Sequence, residues 1–574
     1  MQPDRILHFS DDEKQGLLQT LNASSSSSPV HFDLAGPDTL ESKLVAARVY
    51  CLSNEELSVL ISTDVRPRSL SRSHALTLSR SHSRCTLHSF ARYFLDDPED
   101  LRRPLNHRNE AAALSLIQQR VPGQSELQSQ LHEHIENLWP QFHHEDAGLD
   151  DREGAGRRET GETGETTAAF RRWAAEVGIK SSDLVVGTFP PLGIRGCFSE
   201  RDILRGEDIL SIPRRALVFD ETVLETDLGK MLSVIPGLGM DNLLIVFTMI
   251  DRFDDESRWK AFWDELPEAF GTGLSFPVEV VELLQGSSAY GEIVKAQSHI
   301  RNLYEECTLV FDVLLSAYPT LLDASWFTFD RYIWAVELWY GYAFEIEFPP
   351  STTSKTVMVP FACLVNHSPW PHCVRYGRLD VEADALRFPA FRPCPAGSQV
   401  FISYGPVPNV KLITYYGFAV NDNPHDIVPL TLELPDGCSM PDVQAVMAKY
   451  GVTLDHNLRR RRKTDSPMSR KLLGTVRVLV ATEEELQAML SGQKNPMRVV
   501  GAENEARAAT TLRAALTGVL SAVEGAVARC REQAGRVPEG WALGARMCEC
   551  YLEGQLLVLQ DAVRFCSSSE SSKG

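Results

Sequence analysis

The 12 cysteines of this 574-residue chain include no C-x-x-C pair. Scattered in a long chain, they read as reduced thiols rather than as a disulfide framework. No apolar run reaches the roughly 18–20 residues that a membrane-spanning helix needs, so no membrane segment is expected. Positive charge is not in excess either. Lys and Arg number 57 against 77 Asp and Glu, a net charge of −20, which argues against a protein that coats nucleic acid. The first sixteen residues mix acids with bases and lack an apolar core segment, so no secretory signal is expected, and they are too acidic for a typical transit peptide. What remains is an ordinary globular composition, 43% hydrophobic and 23% charged. The length suggests several domains.

Residues 1–167 carry weak signals. Ser24–Ser28 is a serine tract and reads as a flexible linker. Residues 39–62 and 107–140 have helical character. Arg66–Arg84 repeats Leu-Ser-Arg-Ser-His at 70–74 and 78–82. It reads as an unstructured insertion, with RNA binding or phosphorylation as the alternative. Residues 145–167 are mostly Gly, Glu, Asp, Arg and Thr, cannot bury a core, and mark a linker. From Ala168 the spacing of Phe170, Trp173, Ala174 and Val177 predicts a helix, and 184–219 alternate as strands. Between Asp241 and Tyr342 the period turns helical. Strand patterns return at 355–430. After Pro429 helices are predicted over 443–450, 469–480, 483–490, 503–531 and 540–566. Arg459–Lys463 is a basic run that reads as a solvated loop, with nuclear import as the alternative.

The central stretch runs from Val359 to Phe418. It contains Asn366-His367-Ser368-Pro369, then Ser403-Tyr404-Gly405-Pro406, then Asn409 and Tyr416-Gly417-Phe418. Upstream lie Gly193-Ile194-Arg195-Gly196-Cys197-Phe198 and Arg201-Asp202-Ile203, with Gly206-Glu207 and Pro213 following. These blocks, in this order, resemble a SET domain of the kind found in the Rubisco large-subunit methyltransferase and its relatives. The resemblance covers roughly residues 168 to 566. The helical block between the two strand-rich halves, with its Trp259, Trp263, Leu266 and Pro267, is similar to that class. Compact chromatin SET enzymes often have a C-x-C-x4-C zinc site after the core, and that pattern is missing here. Cys548 and Cys550 form a C-x-C in a helical run far downstream, and no metal site is expected.

The resemblance implies S-adenosylmethionine as cofactor and a protein nitrogen as the methyl acceptor. It makes Tyr404 the catalytic residue, its neutral phenol oxygen facing the transferred methyl. Cofactor contacts are expected from Arg195, Gly196, Cys197, Asn366, His367, Tyr404, Tyr416 and Phe418. Glycines at 193 and 196 would let main chain approach the cofactor, and Arg195 could pair with its carboxylate. The helix ending at Tyr342 often carries an arginine in this class. Here no arginine occurs between Arg331 and Phe361.

The expected fold class is α+β: a SET β core with an inserted helical subdomain, an all-helical C-terminal domain and a partly disordered N-terminal region. The expected boundaries are 1–167 for the extension, 168–430 for the catalytic domain (helical insert at about 235–345) and 431–574 for a substrate-binding domain. The expected activity is protein-lysine N-methylation of a non-histone protein. The alternatives are protein-histidine methylation, which retention of Tyr416 disfavours, and a catalytically silent SET-like binding module. A monomer in cytoplasm or nucleus, with a protein substrate and no nucleic-acid partner, completes the reading.

Overall fold

The computed structural model describes residues 165–571, apart from short stretches at 182, 190–193, 352, 370, 374–375, 391–392, 406, 435–439 and 461–467. The serine tract, the Arg/Ser-rich repeat, the two N-terminal helical segments and Gly193 lie outside the described residues.

Helix α1 spans Glu165–Glu176. It thus begins inside the segment read as linker. Phe170 and Ala174, four residues apart, form its buried face. Among the described residues, five small sheets make up the strand-rich part. Strands β1 (Leu184–Phe189) and β2 (Ile194–Ser199) make an antiparallel hairpin. β3 (Asp208–Pro213) pairs with β8 (Ala385–Pro389), which also pairs with β7 (Leu379–Asp380). β4 (Ala343–Glu347) pairs with β5 (Ser354–Met358). β6 (Asn366–His367) and β9 (Phe401–Ile402) form the parallel pair. β10 (Ile427–Thr431) pairs with β11 (Asp455–Arg459).

Between β3 and β4 lies the helical block, including α2 (Met240–Asp251), α3 (Lys260–Glu265), α4 (Ser288–Ala317) and α5 (Phe329–Tyr342). Trp259, Trp263 and Trp339 of this block bury their rings and still satisfy their N–H groups, as buried polar atoms must. Trp263 donates to Asp251 at 2.8 Å, Trp339 to Thr248 at 2.9 Å and Trp259 to the Ala216 carbonyl at 3.2 Å. Leu210, Ile212, Leu386 and Phe388 of the strands share one continuous core with Phe247, Trp263 and Leu338 of the helices. The inserted helices therefore brace the strand-rich halves from within a single apolar interior.

The C-terminal region contains α6 (Met440–Tyr450), α7 (Arg470–Leu479), α8 (Glu483–Ser491), α9 (Ala502–Gln533) and α10 (Ala542–Ser571). Leu512, Leu516, Val523 and Val527 of α9 repeat at helical spacing and are buried. α9 is also long and apolar enough to cross a membrane by length and composition, although no unbroken apolar run marks it in the sequence; here its apolar stripe faces protein. A seam of Phe276, Val280, Leu284, Ile413, Cys548 and Tyr551 joins these helices to the rest.

Two local expectations are corrected. The C-terminal region is not all helical: β11 inserts between α6 and α7, and its Leu458 is buried against the C-terminal core. The basic run is not a solvated loop where it is described. Arg459 ends β11, and Arg460 is ion-paired with Asp422 and with Asp561 of α10.

Candidate functional site

The site is assembled where β2 meets the Val359–Tyr404 segment. Phe361 has a φ of 73° and turns the chain into a short 3-10 turn over Ala362–Leu364. β6 then delivers Asn366 and His367 beside β9. The side chain of Asn366 donates to the Arg195 carbonyl at 2.9 Å, and the Cys197 thiol points to the Leu364 carbonyl at 3.5 Å. On the other side, Val400 N–H donates to the Cys197 carbonyl at 2.8 Å. The chain around Gly196 is thus stitched to the Asn-His segment on one side and to the start of β9 on the other.

Tyr404 lies just after β9. Its backbone N–H donates to His367 Nδ1 at 3.0 Å, and its hydroxyl donates to the Val365 carbonyl at 2.9 Å. The ring stacks on His367 at 5.1 Å between centroids and on Tyr416 at 5.3 Å. Phe418 stands edge-on to both Tyr404 and Tyr416, at 6.4 and 6.3 Å. Offset and edge-on arrangements at these distances are the favoured aromatic geometries. The eight residues singled out from sequence are therefore brought into one neighbourhood from three separate parts of the chain.

One local expectation is revised. Tyr416 is not a strand residue. Leu412–Tyr416 form a single wide π turn after Asn409–Lys411, closed by Gly417 with φ 77°. A side chain at Gly417 would meet the Gly271 carbonyl at 2.7 Å, so the position demands glycine on two grounds. Asn409 is buried and anchors the Val420–Asp426 segment. It bonds both backbone groups of Val420, and its amide donates to Asp426 at 3.1 Å.

The electrostatics suit a site of neutral groups. Burial, reinforced by the nearby Tyr342, Tyr416 and Tyr376 phenols, pushes the Tyr404 hydroxyl well above its usual range. Burial likewise lifts Tyr342 and Tyr416 and raises the Cys197 thiol to about 12. His367 is driven down to about 4 by desolvation. Its Nδ1 accepts from Tyr404, so the neutral ring carries its proton on Nε2, which is buried and has no partner among the described residues.

Some residues were not legible as site residues. Tyr376 donates to the Ser403 carbonyl and stacks on Phe388 at 5.0 Å. Glu265 at the end of α3 is buried and holds the Arg195 guanidinium through both its carboxylate and its carbonyl. Arg195 is thus already engaged by a protein carboxylate. Cys548 and Cys550 go to different neighbours, the Val280 carbonyl and Asn421.

Comparison with known proteins bears on the fold that holds these residues. The SET domain family model matches residues 194–405. An actin-histidine N-methyltransferase of Canis lupus familiaris is 27% identical over 331 residues, covering 56% of this chain and 54% of that protein. Those of Mus musculus and Homo sapiens are each 26% identical over 326 residues, again covering 56% of this chain and 54% of each relative. The chain spans about half the length of the curated relatives it matches. Among solved structures, Rubisco LSMT bound to sinefungin and monomethyllysine is similar with a TM-score of 0.55 at 21% identity, over 71% of this chain and 92% of that one. The SET domain of LSMT bound to lysine and AdoHcy is similar with a TM-score of 0.54 at 20% identity, over 71% and 91%. The strands, the helical block and the Asn366–Tyr404 crossing belong together: residues 194–405 match the SET domain family model, and the fold around them is similar to that of the Rubisco LSMT structures.

Proposed function

We propose that the chain is an S-adenosylmethionine-dependent protein N-methyltransferase with lysine as the acceptor. One observation carries the reading. The Tyr404 hydroxyl is fixed on the Val365 carbonyl, in an aromatic cluster beside the crossing of Asn366 and Arg195.

The residues present suit the cofactor. Arg195 offers a cation for a carboxylate, with N–H groups beyond those it gives to Glu265. Gly196 allows close main-chain approach. His367, Tyr416 and Phe418 offer flat faces for a base. When bound, the cofactor supplies an electrophilic methyl on a sulfonium, so the chain need only position and stabilise.

Tyr404 does both. Its proton is committed to Val365, which leaves the oxygen lone pairs as acceptors for C–H donors bearing partial positive charge. With its acidity suppressed by burial, the phenol stays neutral and serves as an acceptor rather than a base. Tyr342, Tyr376 and Tyr416 surround it. Such a phenol-rich wall favours a linear amine. Aromatic faces hold its cation on entry, and the desolvated surroundings promote the neutral nucleophile that attack requires.

Histidine is the second reading, favoured by the sequence likeness to the actin-histidine enzymes. The decisive experiment is incubation with methyl-labelled cofactor and a cell lysate, then mass spectrometry of labelled proteins. Methyl-lysine supports the reading, methyl-histidine selects the alternative, and absence of transfer from a cofactor-binding preparation favours a silent binding module.

A further inference from the structure

The helix that ends at Tyr342 lacks the arginine its class often places there, yet the neighbourhood does not lack a cation. Arg195 enters from β2, and its charge acts on Tyr342, Cys363 and Cys197 together. Its side chain is 35% exposed, whereas that of its partner Glu265 is 0% exposed. One end of the pair therefore faces outward and the other is sealed in protein.

Glu265 sits at the last turn of α3, between Trp263 and Leu266, both buried. It has no freedom to follow Arg195. It grips the guanidinium twice, one Nη donating to its carbonyl and the other to Oε1. Thr167 of α1 donates to the same Oε1 at 3.1 Å. A guanidinium has five N–H donors in a rigid fork, so a two-point hold fixes the plane and leaves donors for a second acceptor. The main chain is fixed as well, because Asn366 bonds the Arg195 carbonyl at 2.9 Å. A flexible cation has thus been turned into an aimed one, beside the turn that carries Asn366 and His367.

We propose that Glu265 is a positioning residue of the cofactor site. It holds Arg195 so that the guanidinium takes the carboxylate of the cofactor's amino-acid end, in place of the cation missing from the helix end. The inference rests on the methyl-transfer reading and extends it to a residue that touches no ligand itself. It differs from a simple view of the pair. Were Glu265 only a competing anion, removing its charge would tighten cofactor binding. As a positioner, its removal loosens it.

The test is calorimetric titration of the full chain with two ligands, S-adenosylhomocysteine and 5′-methylthioadenosine. The second keeps the adenosine thioether and lacks the amino-acid end. Arg195→Ala should weaken S-adenosylhomocysteine by about tenfold or more, the scale of a charge-assisted two-pronged contact. Glu265→Gln, which keeps the shape, should weaken it by about fivefold, and the double variant by little more than Arg195→Ala alone. In every variant, affinity for 5′-methylthioadenosine should stay within about twofold of the unmutated chain, since that ligand has no carboxylate to lose. Equal losses for both ligands, or unchanged or tighter S-adenosylhomocysteine binding in Glu265→Gln, overturn the inference. Should Glu265→Gln fail to fold, Thr167→Val decides. It removes one hydrogen bond to the same oxygen and should give the same ligand split at about two- to threefold; an unchanged affinity overturns the inference. A wild-type chain that binds neither ligand removes the methyl-transfer reading itself, and this inference with it. A wild type that binds both, with Arg195→Ala indifferent, removes this inference alone.

Discussion

Tyr404 and His367 are joined twice: the backbone N–H of Tyr404 donates to His367 Nδ1 at 3.0 Å, and their rings stack at 5.1 Å. The link fixes the start of the Tyr404 side chain, and the hydroxyl's bond to Val365 at 2.9 Å fixes its end.

That two-ended hold makes Tyr404→Phe a clean probe. Phenylalanine keeps the ring and both stacking contacts and loses one hydrogen bond, so stability should fall by only about 1 kcal/mol. The turnover rate should fall by about 100-fold or more, roughly 2.7 kcal/mol of transition-state stabilisation, with cofactor affinity nearly unchanged. Single-turnover methylation and thermal unfolding on one preparation check both numbers. Near-normal turnover in a folded variant removes Tyr404 from the mechanism.

His367 predicts a pH dependence of stability. Its pKa falls from 6.5 to about 4 on folding because burial disfavours the imidazolium. Between those values the unfolded chain binds a proton that the folded one does not. Stability therefore rises with pH across that window, and is lost as pH falls from 6.5 towards 4. Asp426 acts in the opposite sense: burial lifts its carboxyl from 3.8 to about 7, so its contribution falls as pH rises through that range. The comparison with His367→Asn isolates the histidine, because asparagine can still accept from the Tyr404 N–H. From pH 7.5 to 5 the wild type should lose about 2 kcal/mol more than His367→Asn in urea unfolding. Parallel slopes for the two proteins would show that His367 is not buried neutral.

How much of this is readable in the sequence differs from residue to residue. Asn366, His367, Tyr404 and Phe418 stand out because they lie in ordered motif blocks whose spacing is set by short strands and turns. The helical block is legible from its 3.6-residue apolar period. β11 is not, because Asp455-His456-Asn457-Leu458-Arg459 has a single apolar residue and takes its strand form from pairing with β10. Glu265 is equally hidden. In sequence it is one acid in a helix end, and only tertiary packing puts it beside Arg195. The π turn at Leu412–Tyr416 reads as an apolar strand, since five buried or half-buried residues in a row carry no period.

Gly554 and Gly518 sit in the two long C-terminal helices and should respond oppositely to alanine. A Cβ at Gly554 would lie 2.7 Å from Asp426 Oδ2 and 3.2 Å from the Asn409 amide, both held by other bonds. Overpacking of that kind costs about 1–3 kcal/mol, outweighing the gain of under about 1 kcal/mol from helix propensity. At Gly518 nothing lies within 4 Å, so only the propensity gain remains. Chemical unfolding should show Gly554→Ala less stable than wild type and Gly518→Ala more stable by about 0.5–1 kcal/mol. A stabilised Gly554→Ala would contradict the close approach of α10 to the Asn409–Asp426 pair.

Gly341 offers the sharpest test of how the helical block serves the site. It is the penultimate residue of α5, and a Cβ there would stand 2.7 Å from the Tyr415 carbonyl and 4.0 Å from the Tyr416 Cα. Both belong to the backbone of the π turn, which cannot swing aside as a side chain can. Alanine must therefore push α5 and the turn apart. In an unconstrained helix the same change would stabilise by about 1 kcal/mol, while forcing a methyl into packed backbone costs about 1–3 kcal/mol. The net expectation is a loss of about 1–2 kcal/mol. The functional consequence should be larger than the loss of stability. Tyr416 stacks on Tyr404 at 5.3 Å, so displacing the turn moves one wall of the site while leaving Asn366, His367 and Arg195 in place. Gly341→Ala should then lower the turnover rate by about tenfold or more, the scale of a misplaced positioning group, and change S-adenosylhomocysteine affinity much less. Unfolding midpoints, single-turnover rates and calorimetric affinities on the same protein separate the two effects. A variant that is more stable than wild type and equally active would mean that α5 and the π turn do not meet at Gly341, and that the helical block does not set the position of Tyr416.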